Sequence, residues 1–284
     1  MAPTQGTNTR TRKNRVIAPG PKQCHPRSRP GSACLPDDKL YEVGKKLGAP
    51  DGLTGQPLRQ WLTRKTRCKT ERCWVDRSGL NNLQPYFRPT MPNTWISDPD
   101  QWLDSNNINA VMKQYEEVYP GFKFYGSNPI DFASPDPYNM NAVAKNKCLI
   151  DSMCKMDLKQ LKASGKTKLG FVYNLDPSNK GGSHWIASFT DIPAGRTYYF
   201  DSYGMRPPKQ IARFMRFLTV HGLNMKLEYN AVRFQYGDTE CGMYCLYFLI
   251  RMLEGDNFKE FCKRAPTDED MLALRDWLFA KKTE

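Results

Sequence analysis

The stretch QYGDTECGMYCLYFLIRML occupies residues 235–253 and joins a polar segment to an apolar one. Its first six residues are polar and include a glycine, which is typical of a loop. The apolar run that follows predicts a helix over 241–253, and Arg251 interrupts it well before it could span a membrane. Cys241 therefore falls in the first turn of a helix, where the helix dipole and unpaired N–H groups favour a thiolate over a thiol.

Two residues near Cys241, Gln235 and Gly242, are compatible with a reactive cysteine at this position. Gln235 ends a predicted strand just before the loop, and its side-chain amide is a candidate oxyanion donor beside the backbone N–H of Cys241. Gly242 keeps the approach to the sulfur open. Cys245 lies one helical turn further on, and we expect it to face the core.

Two motifs upstream supply a candidate base and acid. His184 lies in GGSHW at the start of one predicted strand, and Asp201 lies in YFDSYG at the end of the next. In an antiparallel pair these two ends are adjacent, so the carboxylate can fix the imidazole tautomer and stabilise the imidazolium. The order His, Asp, Gln, Cys, each at an element boundary, predicts nucleophilic catalysis by a cysteine.

The three motifs together resemble the adenain/Ulp1-like clan of cysteine proteases. This clan includes SUMO and NEDD8 deconjugases, adenovirus protease and the core-protein proteases of large DNA viruses. The resemblance implies an α+β fold, with a central mixed sheet flanked by helices and the cysteine on a central helix. It also implies that His184 is the general base, Asp201 its orienting acid, Cys241 the nucleophile and Gln235 the oxyanion donor.

A further match concerns the substrate. The segment QWLDSNNI at 101–108 resembles the W-L-(N/D) segment that opens the catalytic domain in this clan. In the deconjugases, that tryptophan and the one after the catalytic histidine enclose a Gly-Gly tail, which implies Trp102 and Trp185 here. The sequence departs from the clan at two points: Glu240 stands where Asp is common, and one extra residue precedes Ile108.

The resemblance leaves two functions open. Residues 37–90 look like the extra N-terminal region of large-DNA-virus members, which favours an endopeptidase cleaving viral structural precursors after Gly-Gly-type sites, in the virion and host cytoplasm. The alternative is a deconjugase of a ubiquitin-like, SUMO-type modifier. An acetyltransferase is disfavoured by Asp201 and Trp185. A binding module without activity is disfavoured because all four polar site residues are retained.

Charge is distributed unevenly along the chain. The 284 residues carry a net charge of +13, and residues 1–36 contribute seven basic residues, no acidic residue and six of the 21 prolines. Such a segment cannot bury enough apolar surface to fold, so we expect a disordered tail. It is either a solubilising extension, or a polybasic targeting address or tether that binds DNA nonspecifically through phosphates.

The rest of the chain divides into a small helical region over 37–90 and a catalytic domain over 91–284. In the first region, helices are predicted over 37–47, with Asp37 or Asp38 as the N-cap, and over 57–62. In the catalytic domain, the patterns predict helices over 106–119, 156–163, 209–220, 241–253, 257–263 and 268–281, and strands over 122–125, 169–174, 184–190, 197–200, 226–229 and 232–234.

Cysteine usage bears on compartment and metal binding. Nine cysteines at irregular spacing favour free thiols in a reducing intracellular compartment. Cys68 and Cys73 are expected to be buried structural residues, since their spacing does not fit a zinc site and the chain has three histidines. We predict no metal and no cofactor. Because the opening residues are polar and basic and no apolar run is long enough to span a membrane, we also predict no signal peptide and no membrane partner. The sequence does not specify an oligomeric state.

Overall fold

The computed structural model describes residues 19–29, 31–135, 148–221 and 225–281. Within these ranges, five strands form one mixed sheet in which chain order and spatial order coincide. The strands are β1 (Phe122–Pro129), β2 (Lys168–Asn174), β3 (Trp185–Asp191), β4 (Arg196–Phe200) and β5 (Lys226–Tyr229). The outer pairs β1–β2 and β4–β5 are parallel, and the central pairs β2–β3 and β3–β4 are antiparallel.

Helices make up most of the remaining regular structure. In the N-terminal region they are α1 (Asp37–Lys46), α2 (Gly55–Thr66) and α3 (Glu71–Ser78), with a short 3₁₀ helix at Asn81–Tyr86, and a second 3₁₀ helix at Asn93–Ile96 follows this region. Around the sheet they are α4 (Ser105–Val118), α5 (Asp151–Cys154), α6 (Leu158–Ala163), α7 (Lys209–His221), α8 (Cys241–Leu253), α9 (Phe258–Cys262) and α10 (Asp268–Leu278). Across the described ranges, none of these helices combines the length and the apolar character that crossing a membrane requires.

The sheet is the middle of three layers. Side chains alternate along each strand, so Trp185 and Ala187 of β3 join one apolar cluster while Ile186 joins another on the opposite face. The first cluster is covered by α4, α8, α9 and α10, and the second by α5, α6 and α7. The predicted α+β class, a mixed sheet flanked by helices, is confirmed.

Helix α8 occupies the centre of the first cluster. Twelve of its thirteen residues are buried, Arg251 being the exception, which is why its sequence is apolar on every face. The sheet beneath α8 is tightly packed at Gly170 of β2, between the Phe122 ring of β1 and Leu249 of α8. A Cβ atom at that position would lie 2.7 Å from the Phe122 ring and 3.5 Å from Leu249 of α8.

The N-terminal helices enclose a core of their own. Leu40, Leu58 and Trp74 are among the buried members of this cluster, together with Ala280 from beyond α10. The end of the chain pairs with the segment that leaves the region. The Met91 N–H donates to the Ala280 carbonyl at 2.9 Å, and the Ala280 N–H donates to the Pro89 carbonyl at 2.8 Å.

The expectation of a disordered tail over 1–36 fails for the part of this segment that the structure describes. Residues 1–18 lie outside the described residues, whereas the chain from Pro19 onward packs against the N-terminal region and the catalytic domain. Arg88, which is 1% exposed, donates to the Pro19 carbonyl. His25 is buried, and its Nε2 lies 3.1 Å from a carboxylate oxygen of Glu117 on α4. Disorder over 19–36 was the wrong expectation because composition does not show these tertiary partners.

The expectation of free thiols is wrong for six cysteines. Disulfides link Cys24 to Cys34, Cys68 to Cys73 and Cys148 to Cys154. The Cα atoms of these pairs are 4.9, 5.7 and 6.3 Å apart, within the range that a disulfide can bridge. Cys241, Cys245 and Cys262 are free thiols. The spacing of cysteines along the chain could not show this pairing, because which cysteines meet depends on how the N-terminal region and the segment around α5 fold.

Some local predictions also differ from the structure. Residues 232–234 form no strand, because the Phe234 and Gln235 N–H groups both donate to the Ser202 carbonyl instead of a strand partner. The N-cap of α1 is Pro36, and the two aspartates follow it in the first turn. Helix α3 was not predicted. Its N-cap Thr70 accepts a hydrogen bond from the Cys73 N–H, a signal that the sequence does contain.

We expect Gly170→Ala to lower the free energy of unfolding by about 1–3 kcal/mol, the usual effect of overpacking a core. The added Cβ would clash with the Phe122 ring. Urea denaturation followed by tryptophan fluorescence measures the change. Gly181→Ala is the matched control, since a Cβ there would meet no atom within 4 Å. Equal stability of the two variants would contradict this account of the packing at Gly170.

Candidate active site

The antiparallel pair β3–β4 brings His184 and Asp201 together. His184 immediately precedes β3 and Asp201 immediately follows β4, so both lie at the same edge of the sheet. The Nε2 atom of His184 lies 2.8 Å from Oδ1 of Asp201, and both residues are buried. This is the arrangement that the sequence predicts for these two residues.

The Asp201 carboxylate is held in place by its surroundings. Its Oδ1 also accepts a hydrogen bond from the Tyr203 N–H at 2.9 Å. The buried Asn230 side chain accepts from the Asp201 N–H and donates to the Asp201 carbonyl, each at 2.9 Å. Sequence reasoning missed Asn230 and Tyr203. The signal for Asn230 was its position directly after β5, the strand that pairs with β4.

His184 has an environment that favours its charged form. Burial of the ring lowers its pKa, but hydrogen bonds to Asp201 and Cys241 and the charges of both groups outweigh burial and raise the pKa to about 9. Because Asp201 occupies Nε2, Nδ1 is the ring nitrogen left for the Cys241 thiol. The Tyr203 ring stacks on the imidazole with centroids 4.7 Å apart, which fixes the plane of the imidazole.

Cys241 is the first residue of α8 and is 2% exposed. The next residue, Gly242, packs closely against Leu103 and Trp185. A Cβ atom on Gly242 would lie 2.9 Å from Leu103 and 3.3 Å from Trp185. Cys245 is buried one turn further along α8, as expected, and burial raises its pKa well above the usual value. Cys245 is therefore a poor candidate for the reactive thiol.

Gln235 is fully buried beside the loop that leads to Cys241. Its Oε1 accepts a hydrogen bond from the Ser202 hydroxyl at 2.7 Å, which orients the amide and leaves Nε2 as the donor. The Nε2 group lies 3.5 Å from Oε2 of Glu240, a long hydrogen bond. The Glu240 carboxylate is itself engaged by the Thr239 hydroxyl at 2.6 Å. With two N–H donors, Nε2 thus keeps capacity for a further acceptor.

The two tryptophans implied by the clan resemblance line one groove. Trp185 is nearly buried and its Nε1 donates to the Leu103 carbonyl at 2.8 Å, whereas the neighbouring Trp102 is 43% exposed. Both line a cavity of about 540 Å³, together with Asn128, Gly182 and other residues of the β1, β2 and β3 ends. The structure therefore places Trp102 and Trp185 on the same cleft.

Comparison with known proteins identifies the family. The chain is 34% identical over 234 residues to the SUMO-1 cysteine protease of African swine fever virus, covering 75% of this chain and 83% of that protein. This chain belongs to the same family of viral cysteine proteases. The predicted relation to proteases of large DNA viruses is confirmed.

Other members of this group show different degrees of likeness. Protein R355 of Acanthamoeba polyphaga mimivirus, which is named as a thiol protease, is 31% identical over 193 residues. The match covers 64% of this chain and 58% of R355, so the chain spans less than two thirds of that relative. The crystal structure of the African swine fever virus protease shares the fold, with a TM-score of 0.64 and 21% identity over 93% of this chain and 98% of that one. No family model matches the sequence.

The raised pKa of His184 predicts a pH dependence of stability. A histidine whose folded-state pKa exceeds its ordinary value of 6.5 stabilises the fold fully below pH 6.5. That contribution is lost as the pH rises to about 9. We expect the difference in free energy of unfolding between the wild type and His184→Ala to shrink over this window, as measured by urea denaturation at several pH values.

His25→Ala is the control for this measurement. Burial of the ring, followed by the charge of Arg27, lowers the pKa of His25 below 6.5. His25 therefore loses its proton at lower pH than His184 does. The difference in free energy of unfolding between the wild type and His25→Ala should stay constant from about pH 7 to 9. A constant difference for His184→Ala as well would refute the charged state assigned to His184.

Proposed function

We propose that the chain is a cysteine endopeptidase that cleaves viral structural precursors after Gly-Gly-type sites during virion maturation. The observation that carries the proposal is the buried His184–Asp201 pair, hydrogen-bonded at 2.8 Å, beside the free thiol of Cys241 at a helix N-terminus. Both charges of a thiolate–imidazolium pair are stabilised there, by the helix dipole and by the carboxylate. The site of action would be the assembling particle in the host cytoplasm and the virion.

The proposed reaction proceeds through an acyl-enzyme. The Cys241 thiolate attacks the scissile carbonyl carbon, and the carbonyl oxygen becomes an oxyanion that accepts hydrogen bonds from Gln235 Nε2 and the Cys241 N–H. The imidazolium of His184 then donates its proton to the amide nitrogen as the C–N bond breaks. A water molecule attacks the thioester, His184 takes up its proton, and release of the carboxylate product regenerates the thiolate.

Specificity for glycine is supported by the cleft. An indole that is nearly buried and a second that is partly exposed border the same groove, and a chain passing between them meets two flat apolar faces. Residues without side chains would fit such a passage best. Asp201 has the role of holding the imidazole in one tautomer and plane, to which the Tyr203 ring adds a stacking surface.

The second candidate function is cleavage of a SUMO-type modifier from its conjugates. It is favoured by one observation, the name SUMO-1 cysteine protease carried by the relative from African swine fever virus. The chemistry is the same, but the bond cleaved is an isopeptide bond and the modifier needs an extensive docking surface. Incubation with a capsid-precursor peptide containing Gly-Gly-X and with a ubiquitin-like fusion distinguishes the two, since cleavage of the fusion alone would refute the maturation function.

We expect Cys241→Ala to abolish cleavage of the Gly-Gly-X peptide, because it removes the sulfur alone from a buried helix start. The X position of the peptide carries a fluorophore, and the rate of its release measures cleavage. Cys262→Ala is the matched control: it also removes a free thiol, but one at the end of α9. Near-wild-type turnover by Cys241→Ala, or an equal loss in both variants, would overturn the assignment of the nucleophile.

The basic N-terminus leads to a prediction about DNA. Replacing Arg10, Arg12, Lys13 and Arg15 by Gln should weaken binding to duplex DNA and flatten its dependence on salt, by about 0.9 in log–log slope for each phosphate that the protein no longer neutralises. Peptide cleavage should be unchanged, because the substituted positions precede the packed segment that begins at Pro19. Affinity titrations at several salt concentrations provide the measurement.

Residues 19–36 are left intact in this experiment because this segment contributes to the fold. Deleting it would remove both cysteines of the Cys24–Cys34 disulfide and the Pro19 carbonyl that accepts from Arg88, and so change the fold as well as the charge. Identical DNA affinity of the two proteins at every salt concentration would show that residues 1–18 act only as a solubilising extension.

A further inference from the structure

A carboxylate from the last helix reaches into the loop between Gln235 and Cys241. Oδ2 of Asp268, the first residue of α10, accepts hydrogen bonds from the Tyr236 N–H at 2.9 Å and the Gly237 N–H at 2.8 Å. Its other oxygen, Oδ1, accepts from the Tyr244 hydroxyl at 2.8 Å. One rigid, planar group thus contacts both the loop and the helix that begins with Cys241.

The two ends of this clamp lie next to the proposed oxyanion donors. Tyr236 directly follows Gln235, and Tyr244 lies in α8 just under one turn beyond Cys241. Two successive N–H groups directed at one carboxylate oxygen fix the orientation of both peptide planes, as in a backbone anion nest. The path of the loop is therefore set by an atom whose own position is tied to α8.

The side chain of Asp268 does not cap its own helix. The N-cap of α10 is Thr267, whose hydroxyl accepts from the Asp270 N–H at 3.2 Å, while the Asp270 carboxylate accepts from the Thr267 N–H at 2.9 Å. This reciprocal pair is a complete capping box. The side chain of Asp268 is free of that task and points at the loop.

We propose that Asp268 is a positioning residue that fixes the oxyanion loop, Gln235–Glu240, relative to Cys241. This inference rests on the proposed peptidase function. Oxyanion stabilisation requires donors about 2.7–3.1 Å from the developing charge, and a misplacement of about 1 Å costs up to about 100-fold in rate. The loop has other contacts, including the Tyr203 hydroxyl, which donates to the Gly237 carbonyl at 3.2 Å, and Arg233, which donates to the Gln235 carbonyl at 2.7 Å. Asp268 differs from these two because it also accepts a hydrogen bond from α8, through the Tyr244 hydroxyl.

The experiment compares Asp268→Ala with Asp270→Ala in the full chain. The control removes a carboxylate from the same helical turn and breaks the capping box, in which Asp270 accepts from the Thr267 N–H. Three quantities are measured for each: kcat and KM on the Gly-Gly-X peptide, the inhibition constant of a Gly-Gly peptide aldehyde, and the rate of Cys241 alkylation by iodoacetamide. The aldehyde forms a tetrahedral adduct with an oxyanion, whereas alkylation forms none.

For Asp268→Ala we expect kcat to fall by about 10- to 100-fold with KM changed less than about twofold. The aldehyde inhibition constant should rise by a similar factor, and the alkylation rate should stay within about twofold of the wild type. Asp270→Ala should lower the melting temperature without changing the three quantities. Asp268→Asn keeps one acceptor oxygen and the size of the side chain, so its kcat and inhibition constant should lie between those of the wild type and Asp268→Ala. This variant keeps the experiment informative if Asp268→Ala does not fold.

Two results would overturn the inference. One is a kcat for both Asp268 variants that matches that of Asp270→Ala. The other is a parallel fall of kcat and alkylation with unchanged aldehyde affinity, which would make Asp268 a support for the thiol and not for the oxyanion loop. Failure of the peptidase proposal has a different signature, because the wild type itself would then leave the Gly-Gly-X peptide uncleaved, or Cys241→Ala would cleave it at the wild-type rate.

Discussion

The structure of the site depends on the antiparallel register of β3 and β4. Because the two strands run in opposite directions, the residue before one and the residue after the other lie at the same edge of the sheet. His184 and Asp201 occupy these two positions, and a hydrogen bond of 2.8 Å joins them. A shift of one residue in this register would turn one of the two side chains to the opposite face and separate the pair.

The position of Cys241 depends on how closely α8 approaches the sheet and the 99–103 segment. Helix α8 packs on the same face as Trp185, and a glycine, Gly242, stands where the helix approaches the 99–103 segment. At Gly242 a Cβ would meet Leu103, whose carbonyl accepts from the Trp185 indole. The close contact at Gly242 therefore helps to fix the start of α8, which carries Cys241, relative to the Trp185 indole.

Sequence reasoning predicted the sheet, α8 and the convergence of His184, Asp201 and Cys241, because each depends on a local pattern at the boundary of an element. It missed what depends on distant partners. Asn230 and Asp268 reach the site from elements 29 and 31–32 residues away from the groups they hold. The packing of Pro19 on Arg88 and the three disulfides depend likewise on tertiary contacts, which neither composition nor spacing encodes. The roles of the site residues in the reaction stay predictions.

Helix α10 shows why such distant residues matter. By sequence it is an ordinary charged helix near the end of the chain, yet it supports both sides of the site. Asp268 at its start holds the loop beside Cys241. Arg275, seven residues and about 10.5 Å further along the helix, donates to the Pro99 and Gln101 carbonyls and stacks on the Trp95 ring.

The segment that Arg275 holds leads directly into Trp102, which borders the groove. Arg275 is 4% exposed, and removing its guanidinium would leave those carbonyls without the donor. One helix therefore holds both the segment that leads into Trp102 and the loop proposed to hold the oxyanion. A displacement of α10 would shift both segments together, because the side chains that hold them belong to the same helix.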